Sequence, residues 1–404
     1  MSDVIMDIDQ GLKVPGRVIN LDQARVQHGG KAGHMVRMLA VGDPLADAVI
    51  VEMDALGKEG RGILNASLAD GLESLTERPP AITALLQRLE TMPAWVESNM
   101  LGRGEVATLS VSPFWYVLCA IPSALVHTYA SPAIARLLTQ TGRLTTMAPR
   151  RLAETGMWAG QATVPGGLLR GAPGYQATVQ VRLLHARMRS NVLKHGWDTA
   201  EWGVPISQVD VVRTWLDFTL TPFQALAALG IELTQAEQSS LYQYWHYIAY
   251  LLGLEDNSFY RDVTDHDTAQ ELRHLLDLTI GPPDENSRAL TAVMVSAQAD
   301  LLASAPQPLM PRVEFVDLID GILRRSFGGD RADQLGIPVS SAAPFLTMIA
   351  RANREARRWQ TFTPQSAALA LQENTVRRMA HDRSASIPGG PTYQKHAQTG
   401  TVGG

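Results

Sequence analysis

Residues 181–193, VRLLHARMRSNVL, set one histidine among apolar residues and three arginines. At about 100° per residue, Val181, Leu184, Met188 and Val192 fall on one side of His185, while Arg182 and Arg189 fall within about 60° on the other. The imidazole therefore sits on the seam of an apolar helix face. A neutral ring nitrogen turned toward an apolar pocket, with cations along one rim, could ligate a metal whose own ligand carries anionic groups. Haem, with its two propionates, is such a ligand. The alternative is a half-buried histidine hydrogen-bonded to a carbonyl.

A second constellation lies at 149–160, PRRLAETGMWAG. Arg151 and Thr155 are four apart and share a helix face, with Trp158 one turn further on. A cation, a hydroxyl and an aromatic surface on one stripe suit a pocket in which oxygen is held over a metal. An Arg–Glu surface pair with Thr155 as filler explains the same residues. Glu154 can pair with either Arg150 or Arg151.

Other candidates lead less far. GRGEVA (102–107) fits the dinucleotide fingerprint by letter, but no apolar strand precedes it and no strand–helix alternation follows. TDHDTAQELRH (264–274) holds Asp265, His266, Asp267 and His274, yet its histidines are eight apart and cannot pinch one ion. A solvated face with a cap near Thr264 is the simpler reading. YQYWHYIAY (242–250), with His246, is core packing by default. There is no G-x-S-x-G elbow to support hydrolysis.

These residues sit in a chain whose pattern is helical. Apolar residues recur at helical spacing from residue 42 onward, and period-2 alternation is almost absent. Helices are expected at 63–76, 82–91, 113–128, 132–141, 148–163, 174–194, 207–220, 222–229, 234–252, 267–278, 287–304, 313–326, 341–358 and 364–381. Residues 1–41 read as an irregular N-terminal arm, 42–385 as a single helical domain, and 386–404, rich in Gly, Pro and polar residues, as a flexible tail. The expected fold is all-α.

The formal charge of −5 argues against a nucleic-acid partner. Of 35 cations only Lys13, Lys31, Lys58, Lys194 and Lys395 are lysines. The one cysteine, Cys119, excludes an internal disulfide and a C-x-x-C-H attachment, so any haem would be held non-covalently. The acidic start MSDVIMDIDQG has neither a basic nor an apolar leader region, which points to the cytoplasm. The most apolar run, 113–126, is too short to span a membrane and contains Pro122.

The order and spacing of GDPLADAV (42–49), PAWVE (93–97), TGRL (141–144), RLAET (151–155), RLLHARMR (182–189) and PISQVDVVRT (205–214) resemble the haem-b oxygenases that include latex-clearing proteins (rubber oxygenases) and MpaB-type proteins. The resemblance implies a globin-like helical core, with additional N- and C-terminal helices, holding one haem b. It implies that His185 is the proximal iron ligand and that Arg151 and Thr155 lie beside the sixth coordination site. Arg182, Arg189 and Trp158 are then candidates to line the cofactor. Two departures bear on substrate: a distal lysine of some rubber oxygenases is Glu154 here, and helix 131–144 lacks the carboxylate that rubber cleavers carry. The implied activity is an intracellular haem-dependent oxygenase acting with dioxygen and an unidentified electron donor on a small apolar molecule, with unsaturated or isoprenoid-like compounds among the candidates. A peroxide-using oxidant or monooxygenase, and a non-catalytic haem sensor or interaction protein, are the competing readings.

Overall fold

A computed structural model describes residues 13–140, 144–305, 307–384, 387 and 390–395. Among them the only extended pairing is an isolated bridge between Val18 and Ile280; the rest of the regular structure is helical. Numbering the helices of eight residues or more, α1 (Leu21–His28) and α2 (Gly30–Met38) are followed by α3 (Pro44–Leu56), α4 (Lys58–Asp70), α5 (Pro80–Glu90), α6 (Met100–Leu109), α7 (Pro113–Tyr129), α8 (Pro132–Thr139) and α9 (Leu144–Thr163). Then come α10 (Pro173–Lys194), α11 (Gln208–Asp217), α12 (Leu220–Ala228), α13 (Gln235–Leu251), α14 (His266–Leu278), α15 (Glu285–Ala303), α16 (Arg312–Phe327), α17 (Ala343–Phe362) and α18 (Pro364–Ser384).

Helix ends follow side-chain chemistry. Asp43 accepts from the Ala46 amide ahead of α3, while Ser207 with Asp210, and Thr234 with Glu237, form reciprocal capping boxes at α11 and α13. The cap expected near Thr264 is Asp265, paired with Thr268. Helix α9 begins a turn before the expected 148 and carries Pro149 inside it.

The expectation of an irregular N-terminal arm fails, and the rejection of GRGEVA as a nucleotide loop holds. The N-terminal arm is helical from Leu21 on; α1 buries only Ala24, so its polar sequence shows little period and its helix depends on packing against α2 and α14. GRGEVA lies within α6, which packs closely on α13: a Cβ at Gly104 would stand 2.4 Å from Tyr244. That glycine serves helix contact, and no nucleotide loop is present there. Pro122 deforms α7. Lacking an amide hydrogen, it cannot bond the Leu118 carbonyl, and Tyr116–Ala120 open into a π turn. Gln298 of α15 donates to the Val117 carbonyl at 2.8 Å.

The core runs through α9, α10 and α13. Helix α9 packs on α10 and α15, α10 on α3, and α13 on α6. Trp215, Tyr175, Tyr242, Tyr244 and Tyr260 are its largest fully buried side chains.

Candidate functional site

Helices α9 and α10 carry Arg151, Thr155, Arg182, His185 and Arg189, and Trp158 of α9 joins the two. Its indole N–H donates to Thr178 Oγ1 at 3.0 Å, and its ring meets Phe218 and Trp245 edge-on, with centroids 5.7 and 6.1 Å away. Trp158 is therefore a buried tie between the two helices, a role that its sequence context alone does not reveal.

Helix α10 is clamped from behind. The Arg182 guanidinium donates through Nε and Nη2 to the two Asp43 oxygens at 2.6 and 2.8 Å, and both residues are buried. Two turns along, Arg189 donates through Nε to Asp47 at 2.9 Å and through Nη1 to the Ile206 carbonyl at 2.7 Å. Gln208 donates to the Gly42 and Gly253 carbonyls at 2.9 and 3.1 Å, closing the same buttress. Gly253, at φ +87°, leaves the room this needs: a Cβ there would lie 2.3 Å from Asp43 and 2.5 Å from Arg182. The expectation that Arg182 and Arg189 face cofactor anions is thus corrected. Asp43, which caps α3, and Asp47 within it already neutralise them, because a buried guanidinium must be paired within the fold.

His185, between those two arginines, is different. Among the described residues His28, His34, His127, His195, His246, His266 and His274 each bring a ring nitrogen within hydrogen-bond distance of a partner. His185 has none, and its Nδ1 is sealed from solvent. Burial first, then the Arg189 cation, hold the imidazole down to about 4, with Asp43 opposing, so it is neutral at pH 7. A neutral imidazole carries one N–H and one lone pair, and with neither ring nitrogen hydrogen-bonded within the described fold, that lone pair is left for a ligand. His246 is instead held on both sides, by the Val263 carbonyl at 2.8 Å and Arg261 at 3.2 Å, and stacks on Trp215.

On α9, Arg151 and Thr155 are half-buried and make no side-chain hydrogen bond to the described residues. Mid-helix threonines here usually bond back one turn, as Thr163 does to Ala159 at 2.6 Å. Arg151 lies near Tyr129, a buried phenol pushed up to about 12 by burial and eased down by that cation. Of the two arginines open to Glu154, it takes Arg150, with Nε at 2.8 Å.

Glu154 also contradicts the reading of the C-terminus as a loose tail. It accepts from the amide and hydroxyl of Thr392, both at 2.6 Å, while Arg150 donates to the Gly390 carbonyl. Thr392–Lys395 form a helical turn packed on α10, with Pro391 and Tyr393 buried. The remainder of 386–404, apart from Ile387 and Gly390, and residues 141–143 of the TGRL element lie outside the described residues.

Further along α9, Ala159 and Thr163 help line a small, mainly apolar cavity of about 40 Å³, with Tyr116 and Ala120 of the π turn, Phe218, Phe223 and Trp245 around it. Arg378 of α18 closes one side, donating to Thr163 at 2.7 Å. Sequence reasoning missed this cavity and Tyr129. The available signal was Pro122 within a strongly apolar helix, which calls for a local defect. Among the described residues no group of three or more metal-ligating side chains converges.

The sequence matches the family described as "ER-bound oxygenase mpaB/B'/Rubber oxygenase, catalytic domain" over residues 111–362. It is 24% identical over 266 residues to a rubber oxygenase of Streptomyces sp. (strain K30), a match that spans 64% of this chain and 61% of that protein. The solved structure of latex clearing protein LCP in the closed state superposes with a TM-score of 0.62 at 18% identity, over 84% of this chain and 91% of that one. At that identity the likeness is one of fold.

Proposed function

The chain belongs to the family of MpaB-type and rubber-oxygenase catalytic domains, and from that premise we propose that it is a haem-b-dependent oxygenase of a small, apolar, unsaturated substrate of the isoprenoid kind. The observation that carries the reading is the unpartnered neutral imidazole of His185 on a helix that the fold holds rigidly. An orphaned polar atom of this kind is costly in a buried place unless a ligand completes it.

The residues present fit the cofactor in part. His185 would hold the iron, and Arg151 is a half-buried cation that no described carboxylate neutralises. Arg182 and Arg189 act through the fold instead, since their ion pairs fix α10 and with it the direction of the imidazole. Haem, when bound, supplies the redox-active iron at which dioxygen is reduced. Arg151 and Thr155 bring N–H and O–H donors to the negative charge that develops in the reaction, and losing one such donor typically costs about 10²–10³ in rate.

The test is a haem titration of the purified chain followed by its absorption spectrum. Wild type and His246→Phe should give the same ligated spectrum, and His185→Ala should lose it. With ligation established, oxygen consumption is measured with a reductant and an apolar alkene. A His185→Ala protein whose spectrum equals that of wild type would overturn the assignment.

A further inference from the structure

Helix α17 presents an apolar face away from the protein. Its inner side is set by Leu346, Ala350 and Arg357, which are buried. On the far side, Phe345, Met348, Trp359 and Phe362 fall within about 100° of one another at 100° per residue, and the last three are 62%, 69% and 74% exposed. The rings of Trp359 and Phe362 pack together with centroids 5.7 Å apart. Arg351, Arg354 and Arg358 line one flank of this stripe and are exposed.

The charge of this region opposes that of the chain. Residues 343–384 hold seven arginines against three acids, whereas the whole protein carries −5. A helix with aromatic and methionine side chains on one face and arginines along its edge has the composition of one that lies in a bilayer interface. The face is convex, so it offers no groove for a peptide. A second copy docking antiparallel across a two-fold axis would bring the two arginine rows together, with Glu355 as the one exposed acid of the helix to offset them.

We infer that the outer face of α17 is a docking surface for an anionic lipid bilayer, with Trp359 and Phe362 entering the interface and Arg351, Arg354 and Arg358 engaging headgroup phosphates. The helix lies on the membrane and does not cross it; no single helix among the described residues is long and apolar enough for that. The inference is independent of haem and of the reaction.

The experiment is flotation of the full chain with vesicles of phosphatidylcholine alone, or with a quarter of phosphatidylglycerol, at low and high salt. Binding is expected to the anionic vesicles and to weaken with salt. Each arginine near such a surface is worth roughly five-fold, so Arg351→Gln/Arg354→Gln/Arg358→Gln should lower partitioning about 100-fold. Trp359→Ser/Phe362→Ser should lower it at least about tenfold. Val313→Ser, at an equally exposed apolar position on α16, should leave it unchanged, and circular dichroism verifies that each variant is folded. The inference is overturned by absence of binding at low salt, by binding indifferent to Trp359 and Phe362, or by sedimentation showing that these substitutions instead dissolve a dimer.

Discussion

Replacing Asp43 with alanine tests whether the arginines beside His185 belong to the fold or to a ligand. Asp43 holds Arg182 through two short hydrogen bonds, and the Arg182 side chain is 5% exposed. Removing one partner of such a pair strands a buried charge and costs about 3–5 kcal/mol. Asp43 also caps α3 through the Ala46 amide, a contribution of about 1 kcal/mol. The loss is then roughly 4–6 kcal/mol. At about 2.1 cal/mol/K per residue, unfolding of 404 residues carries roughly 0.85 kcal/mol/K, so Tm should fall by about 5–7 °C. The assay is thermal unfolding of the haem-free chain by circular dichroism. Asp43→Leu/Arg182→Leu replaces the pair with apolar volume and should recover most of that loss, since burying neither charge is often close to neutral. In a parallel titration its haem affinity should stay within a few-fold of wild type. If the double variant regains Tm but loses haem about 100-fold, while Asp43→Ala retains it, Arg182 is a cofactor contact and the buttress argument is wrong.

Gly104→Ala gains about 1 kcal/mol of helix propensity yet drives a methyl into Tyr244, whose hydroxyl is already anchored to the Ala162 carbonyl. Overpacking of about 1–3 kcal/mol or more should prevail; a higher Tm in the same unfolding assay would show that α6 and α13 can move apart. Truncation after Ser384 removes both Thr392 hydrogen bonds to Glu154, and should lower stability by about 1–3 kcal/mol, each being charge-assisted. Hydrogen exchange gives the finer readout: the Thr392 amide should exchange slowly in wild type and quickly in Glu154→Ala, and equal rates would place the C-terminal turn elsewhere.

What the sequence determined by itself is local. The seam position of His185, the bounds of α10 and α13, and the cap beside Thr264 follow from residues within one or two helical turns, because helical period and capping act over that range. The short α1 was illegible for the matching reason: burying only Ala24, it lacks a local signal and packs on α2 and α14. Arg151 and Thr155 were legible as a stripe, and so was the choice facing Glu154, but not its outcome. Tertiary structure alone decided the partners of the charges. Arg182 meets a carboxylate 139 positions away, Glu154 meets Thr392 at 238, and Gln208 ties together two loops far apart in sequence. A guanidinium on an amphipathic helix looks the same whether it awaits a ligand or a distant aspartate. Only packing, which removes water from one set of groups and brings another within hydrogen-bond reach, distinguishes the paired arginines from the histidine left open between them.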